Sequence, residues 1–456
     1  MSALARFFKA QGSIISGSDK ETSYLINDLK NEGINDIWIP HNIENLKKTN
    51  PDYVIYSTAV IANNNEELNW AKENKKTILH RADLLDLATK DKKLISVSGT
   101  HGKTTTTAMI SEILINSRLD PSVILGGILI PKNTNAIYGN GDYFVIEADE
   151  SDKSFLKGEP EISVITNIES DHLENYTGGF EEIKRSFLGF AKKAMQKKGL
   201  IVCFEDKNTK EVISNNFNIN DSKLITYGIH GDNDVVKVKT YAKYNMNTRL
   251  WDIFTSGKYI TSFKLKQPGE HNVLNALAAF CVGHLLELDI EQIKQTLENY
   301  QGVKRRFQIL GEVNNITVID DYAHHPTEIS ATIKSAKELN PKRLIIVLQP
   351  HQPTRLRDLW NEFIEVLEKV EDLVFITDTY IARGSAIEGI SSKKLVEEIG
   401  KQNINYLEGN INEYVKYLEK LAKPGDLIII MGAGNITDLG PMLIKHLIQI
   451  PGTINI

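Results

Sequence analysis

Short apolar runs alternate along the whole chain with stretches whose apolar residues recur at helical spacing. Met1–Ala10 has the spacing of a helix with an apolar face, and Ser13–Asp19 reads as a strand ending in a polar turn. Further strands are expected at Ile37–Pro40, Tyr53–Ser57 and Thr77–Leu79, with a helix over Glu66–Asn74. A nucleotide-binding βαβ unit would place a strand and a Gly-rich turn ahead of the first helix, and the sequence opens on the helix itself. Residues 1–82 therefore read as a small α/β domain that lacks its first strand, and a start codon placed too far downstream is the expected cause.

A second block begins with the apolar strand from Leu94 and contains two more, Asp142–Asp149 and Ile162–Ile168. From Lys223 to Lys266 the pattern changes to period two, with turn residues at Gly231–Asn233 and Ser256–Gly257. That predicts an antiparallel meander attached to a parallel sheet. Gly269–Ala276 opens an apolar helix, and near Tyr300–Phe307 the chain crosses into a third block. There, strands at Ile316–Asp320, Arg343–Leu348, Leu373–Thr377 and Leu427–Met431 alternate with helices at Pro326–Glu338, Leu356–Val370 and Lys393–Ile399, the sign of a doubly wound domain. The fold class is α/β in three domains. They are a truncated Rossmann-like domain (1–82), a central phosphate-loop domain with a parallel sheet plus a small antiparallel sheet (83–302), and a doubly wound Rossmann-like domain (303–456).

Composition narrows the class. At 456 residues, 41% of them hydrophobic and 25% charged, the chain can build several cores. Its 53 basic and 59 acidic residues give no reason to expect nucleic acid or a membrane surface as partner. Cys203 and Cys281 lie far apart inside apolar runs, as buried thiols do. The apolar region Val273–Leu286 is interrupted by Asn275 and His284 and is too short to span a bilayer. With no signal peptide in view, a cytoplasmic enzyme is expected, as monomer or homodimer.

The chemistry centres on Gly99-Thr-His-Gly-Lys-Thr-Thr105. An apolar strand enters a tight Gly99–Gly102 turn, and a helix leaves it. Backbone N–H groups in such a turn, together with the helix dipole, cradle phosphate oxygens. Thr100, His101 and Thr105 belong to that cradle, Lys103 reaches the β- and γ-phosphates, and Thr104 offers its hydroxyl to Mg²⁺, so the stretch is expected to bind ATP. The first glycine of the usual phosphate-loop spacing would fall at Val97, so the loop is a shortened one. Glu147, at the end of its strand, is the best metal ligand beside Thr104, and His172 could hold a second cation. Ordinary turn acids are the bland account of such clusters, but three strand ends meeting on one sheet edge argue for a ligand site. His271 and Asn275, four residues apart, would share a helix face that can read an adenine edge, while a cap by Asn272 explains part of the same pattern. Arg305 and Arg306 could stabilise a transferring phosphoryl group or form a solvated face. Asp320–Pro326 and Gln349–Arg355 follow consecutive strands. Asp321, His324, His351 and Arg355 are candidates there, against the alternative that the histidines are helix-terminal or core residues. Gly432–Asn435 is a weaker Gly-rich turn.

Taken together, GTHGKTTTT, EADESDKSF, TNIESDHLENY, GEHNVLNA, YQGVKRRF, DDYAHHPTE, QPH with TR beyond it, and GDLIIIMGAGNI resemble, in order, the motifs of the Mur ligase family, in particular its alanine-adding branch. The resemblance spans nearly the whole chain. It implies a UDP-sugar-binding domain, an ATPase domain and an amino-acid domain. The implied reaction joins L-alanine to the lactyl carboxylate of UDP-N-acetylmuramate through an acyl phosphate, with ATP converted to ADP and phosphate. By the same resemblance Lys103, His172, Arg306 and His324 are catalytic; His271 and Asn275 lie near the adenine; Arg306, Asp321 and His324 face the nucleotide; and Arg355, with His351, is placed near the amino acid. Family members that add later residues carry a carbamylated lysine where this chain has Phe187. Three departures stand out: the missing Gly-rich turn at the start, Gln352 where arginine is usual, and Gly384 where glutamate is usual after Ala382-Arg383. Two other readings stay open, a ligase that recycles a tripeptide onto the same UDP-sugar and a nucleotide-binding remnant without ligase activity.

Overall fold

The computed structural model describes residues 1–58, 60, 65–171, 173–229, 238–382 and 385–449. They form two compact units, one of residues 1–265 and 273–301, the other of residues 266–272 and 302–456.

In the first unit the short strands β1 (Gly17–Ser18) and β2 (Ile37–Trp38) pair in parallel, as do β3 (Tyr53–Tyr56) and β4 (Thr77–His80). The expected strand at Ser13–Asp19 is thus only two residues long; Ile14 is almost fully exposed and gives that segment nothing to bury. The opening helix, Ser2–Ala10, turns Ala3, Leu4 and Phe7 inward, and Phe7 meets Phe144 at 5.1 Å between ring centroids.

Ten strands follow in one sheet: β5 (Lys93–Ser98), β6 (Ser122–Leu129), β7 (Thr134–Ile137), β8 (Tyr143–Glu147), β9 (Ile162–Ile165), β10 (Gly199–Cys203), β11 (Leu224–Ile229), β12 (Thr240–Asn245), β13 (Leu250–Thr255) and β14 (Lys258–Phe263). Their order is β14-β13-β12-β11-β10-β9-β5-β8-β6-β7. Central strands are apolar because both faces are covered: Leu94, Ile95 and Val97 of β5, Phe144 and Val145 of β8, and Ile162, Val164 and Ile165 of β9 are all buried. The period-two region is antiparallel across β12, β13 and β14, with its turn at Ser256–Gly257, as expected. It is not a separate sheet, however. Thr240 of β12 pairs in parallel with Tyr227 of β11, so the meander continues the main sheet. The turn expected at Gly231–Asn233 lies outside the described residues. Cys203 and Cys281 are free and buried, and burial pushes each thiol up to about 12.

The second unit holds β15 (Gln308–Val313), β16 (Ile316–Asp321), β17 (Arg343–Leu348), β18 (Leu373–Ile376), β19 (Ile404–Tyr406) and β20 (Asp426–Met431), ordered β15-β16-β20-β17-β18-β19. All are parallel except the edge strand β15. Alternate residues face opposite layers. Val318, Ile345, Val347, Ile428 and Ile430 pack with Val415 and Leu443, while Ile319, Ile346, Leu348, Ile429 and Met431 pack with Ile329, Phe363 and Leu395. This is the doubly wound layering that the alternation predicts. One helix differs. Leu356–Val370 is interrupted at Leu359 (φ −114°, ψ 25°), giving Pro353–Asp358 and Trp360–Glu368. No described helix is long and apolar enough to cross a membrane.

Candidate active site

The loop after β5 is shaped by two glycines. Gly99 has φ +138°, and a Cβ there would lie 2.1 Å from Thr166 Oγ1. Gly102, at φ +81°, caps the helix Lys103–Asn116. Residues just past β9 pin the loop. Thr166 Oγ1 donates to His101 O at 2.6 Å, His101 N–H donates to Asn167 Oδ1 at 2.7 Å, and Thr100 N–H donates to Asn167 O at 3.1 Å. Thr166 and Asn167 were not singled out in the sequence; their place directly after a central strand was the available signal. At the helix start, Thr104 Oγ1 donates to Glu147 Oε1 at 3.0 Å, and Thr105 is buried beside it. Gly126 N–H holds the other Glu147 oxygen at 2.7 Å. A hydroxyl and a carboxylate oxygen side by side at the start of this helix form a donor set that could hold Mg²⁺. Thr106 Oγ1 donates to Asn275 Oδ1 at 3.1 Å, which brings Asn275 to the same helix end. His172 lies outside the described residues.

Lys103 Nζ donates to Gly99 O, Thr100 O and Glu150 Oε1. Burial opposes its charge, but Glu150, Glu147 and Asp149 outweigh burial and hold the ammonium above its ordinary value. Glu150 is pushed up, by burial first and by neighbouring Asp149. The flanking carboxylates sit on one guanidinium: Arg81 Nη2 donates to Asp149 Oδ2 at 2.8 Å and to Asp152 Oδ2 at 3.1 Å, and Thr58 Oγ1 donates to the same Asp152 oxygen at 2.7 Å. Although burial works the other way, the Ser154 and Thr58 hydrogen bonds and Arg81 bring Asp152 down from 3.8 to about 2. Its folded-state value is depressed, so its contribution to stability is present above 3.8 and is lost as pH falls through about 2. Thermal unfolding midpoints measured between those limits should therefore drop less steeply in Arg81→Ala than in the parent chain. Equal slopes would show that Arg81 does not hold Asp152 ionised.

His271 and Asn275 share the helix Glu270–Leu285. Burial lowers His271 to about 4, so its imidazole is neutral at pH 7. The Asn272 side chain, in the first turn of that helix, donates to Pro268 O at 2.7 Å, which ties the helix to the turn before it.

In the second unit the candidates gather past the carboxyl ends of β16 and β17. Asp321 Oδ2 accepts from Phe307 N–H at 2.6 Å, and its Oδ1 accepts from Ala323 N–H at 2.8 Å and from Thr332 Oγ1 at 3.2 Å. Burial raises it despite Arg306. Both arginines lie over the Tyr322 ring, each 4.9 Å from its centroid, and Arg305 also donates to Gly432 O and Gly434 O and lies 3.6 Å from Asp320, tying the Gly-rich turn after β20 to β16. Of the two histidines before Pro326, His325 caps the helix Pro326–Glu338, while the His324 ring meets Tyr322 and His351 edge-on, at 5.3 and 5.5 Å. His351 in turn stacks on Tyr380 at 5.8 Å and has Arg355 Nη1 at 3.4 Å from its Nδ1. Tyr380, past the end of β18, extends this row and was not among the sequence candidates. Gln352 takes φ +69° and donates its N–H to Tyr380 O at 2.9 Å; Arg383 and Gly384 lie outside the described residues. Phe187 is fully buried against Phe155 in the core, so its helix offers no lysine at that position.

Three family descriptions match the chain: "Mur ligase family, catalytic domain" over residues 1–93, "Mur ligase middle domain" over residues 97–283, and "Mur ligase, glutamate ligase domain" over residues 305–434. The UDP-N-acetylmuramate–L-alanine ligase of Clostridium tetani is 41% identical, with 98% of this chain and 95% of that protein covered. The ligase of the same name from Dictyoglomus turgidum is 40% identical, with 98% and 94% covered. Among solved structures, the UDP-N-acetylmuramate-alanine ligase of Thermotoga maritima superposes with a TM-score of 0.79 at 29% identity, covering 98% of this chain and 96% of that one. A murein peptide ligase from Psychrobacter arcticus shares the fold, with a TM-score of 0.71 at 21% identity.

Proposed function

The chain belongs to the Mur ligase family, and we propose that it joins L-alanine to the lactyl carboxylate of UDP-N-acetylmuramate, converting ATP to ADP and phosphate. The observation that carries this reading is the cradle of Gly99, Gly102, Lys103 and Thr104 facing Glu147, in a chain about 40% identical over nearly its full length to relatives of that name. In this reading the domains are 1–82 for the UDP-sugar, 83–302 for ATP and 303–456 for the amino acid, and the enzyme works in the cytoplasm.

A carboxylate is a poor acyl donor, so the lactyl carboxylate first attacks the γ-phosphorus, forming an acyl phosphate and releasing ADP. The alanine amine then attacks the acyl carbon, the C–O bond to phosphate breaks, and the amide forms with loss of a proton. Backbone N–H groups of residues 99–105 and the Lys103 ammonium stabilise the charge on the transferring group and hold it in line. Thr104 and Glu147, with His172 for a second ion, would hold Mg²⁺, which neutralises phosphate charge when bound. Asn275 and neutral His271 fit a nucleobase edge. By the family resemblance, Arg306, Asp321 and His324 act on the nucleotide, and His351 and Arg355 on the amino acid.

Phosphate release from ATP is the test. Release should require both UDP-N-acetylmuramate and L-alanine. Release driven by the tripeptide instead would favour the recycling reaction, and ATP binding without turnover on any substrate would favour a remnant.

A further inference from the structure

Lys103 has committed its donors inside the protein. An ammonium carries three N–H groups, and those of Lys103 lie on Gly99 O at 2.5 Å, Thr100 O at 3.1 Å and Glu150 Oε1 at 2.8 Å. The Lys103 and Glu150 side chains are only 15% and 6% exposed. A phosphate that engages Lys103 must take one of these three places. The two carbonyls belong to the loop itself, which Thr166 and Asn167 pin. Glu150 comes from the segment after β8, and its second oxygen, Oε2, is buried with no hydrogen-bond partner among the described residues. Of the three contacts it is also the anionic one, the one a phosphate oxygen replaces in kind.

The segment around Glu150 is otherwise fixed. Tyr176 O–H donates to Glu150 O at 2.5 Å, Asp149 Oδ1 accepts from Ser151 N–H at 3.0 Å, and Asp152 Oδ1 accepts from Ser154 N–H at 3.0 Å. Arg81 ties Asp149 and Asp152 together from outside the segment. The backbone of residues 149–154 is thus held on both sides of Glu150, and the Glu150 side chain is the part left to move.

We propose that Glu150 is a placeholder for the nucleotide: its carboxylate holds Lys103 until nucleotide binds, the terminal phosphates displace it, and Arg81 is the positioning residue that keeps it in reach. Nucleotide affinity is then a difference between two anions competing for one cation, and part of the intrinsic attraction is spent on the exchange. The proposal rests on the reading of this loop as the ATP site. It makes residues 58 and 81, which lie in the segment before the central sheet, partners in setting that affinity.

The test is a titration of the full chain with ATP and, separately, with AMP, which has no β- or γ-phosphate to reach Lys103. An amide holds an ammonium about half as strongly as a carboxylate does, so Glu150→Gln should bind ATP about five-fold or more tightly, with AMP affinity unchanged. Arg81→Ala, a change at a partly exposed residue that acts through Asp149 and Asp152, should shift ATP in the same direction by less, and should add nothing in the Glu150→Gln background. A merely structural role would move ATP and AMP together. ATP affinity unchanged or weakened in Glu150→Gln overturns the placeholder, and if that variant does not fold, an unchanged ATP affinity in Arg81→Ala overturns it instead. Failure of the parent chain and Glu150→Gln alike to bind ATP overturns the nucleotide reading together with the placeholder. Binding by Glu150→Gln alone supports both.

Discussion

Replacing Lys103 with methionine is expected to lower ATP turnover by about 10²–10³-fold, because a positioned cation at the transferring phosphoryl group is lost. The same change should also destabilise the fold, for a separate reason. Methionine fills much of the volume of the lysine stem but leaves Glu150 buried without its cation, and breaking a buried pair from one side costs about 3–5 kcal/mol. The two losses can be separated. The double variant Lys103→Met/Glu150→Gln removes the orphaned charge, so urea unfolding should return most of the stability while turnover stays low. The single variant carries a pH signature as well. A buried carboxylate whose folded-state value is raised destabilises the fold above its unfolded value, so the stability deficit of Lys103→Met should shrink as pH falls towards the ordinary carboxylate value of 4.5. Stability equal to the parent's at pH 8 would mean that Glu150 finds another partner. Turnover within about ten-fold of the parent would remove Lys103 from the chemistry.

The second large effect is expected at Gly99. A Cβ there would stand 2.1 Å from Thr166 Oγ1 and 3.0 Å from both the N and the O of Asn167. The Thr166 hydroxyl can rotate, but the Asn167 backbone continues β9 and cannot retreat without disturbing the sheet. The φ of +138° adds a strain that alanine does not tolerate. Gly99→Ala should therefore cost about 2–4 kcal/mol, combining overpacking with a forbidden backbone region. It should also weaken nucleotide binding by at least about ten-fold through displacement of the cradle N–H groups. Gly257→Ala is the control: φ is +76° there too, but no atom lies within 4 Å of the added carbon, so the penalty should stay near 1 kcal/mol with binding untouched. Equal losses in the two variants would show that the backbone angle alone, not the approach of β9, sets the cost.

What the sequence disclosed follows from how local each signal was. The strand–turn–helix at Lys93–Asn116 and the strand–helix pairs of the second unit are written in consecutive residues, and they appear nearly as expected. The Thr104–Glu147 pair was legible as well, since Thr104 opens the helix after β5 and Glu147 ends β8, at the edge of a parallel sheet where ligands bind. Less legible were features that depend on register between distant strands. Nothing in the period-two pattern of residues 240–263 says that β12 runs parallel to β11 and so merges the meander into the main sheet. The helix break at Leu359 escaped because the apolar spacing runs on through it. Arg81 and Glu150 are the sharper lesson. A lone arginine and the last acid of Glu147-Ala-Asp-Glu150 look like surface residues, and their importance exists only once residues 58, 81 and 150 are brought to one loop. Arg305 and Arg306 share the Tyr322 ring, but the hydrogen bonds from Arg305 to the turn after β20 join residues more than a hundred positions apart, which adjacency in sequence does not announce.

The strand order has a consequence for synthesis on the ribosome. β5 is flanked by β8 and β9, and the loop that follows it is pinned by Thr166 and Asn167. A nascent chain that has just released Thr107 carries β5 and every residue of the cradle but neither of the strands that flank β5. β8 arrives about forty residues later and β9 about sixty, and Asn275 about a hundred after β9. Loop closure over such separations is slow compared with local helix formation. Nucleotide therefore cannot act as an early template for this half of the molecule. Capture of a nucleotide by ribosome-bound fragments would mark the point at which β9 has joined the sheet, which makes a truncation series read by nucleotide binding a clock for vectorial folding.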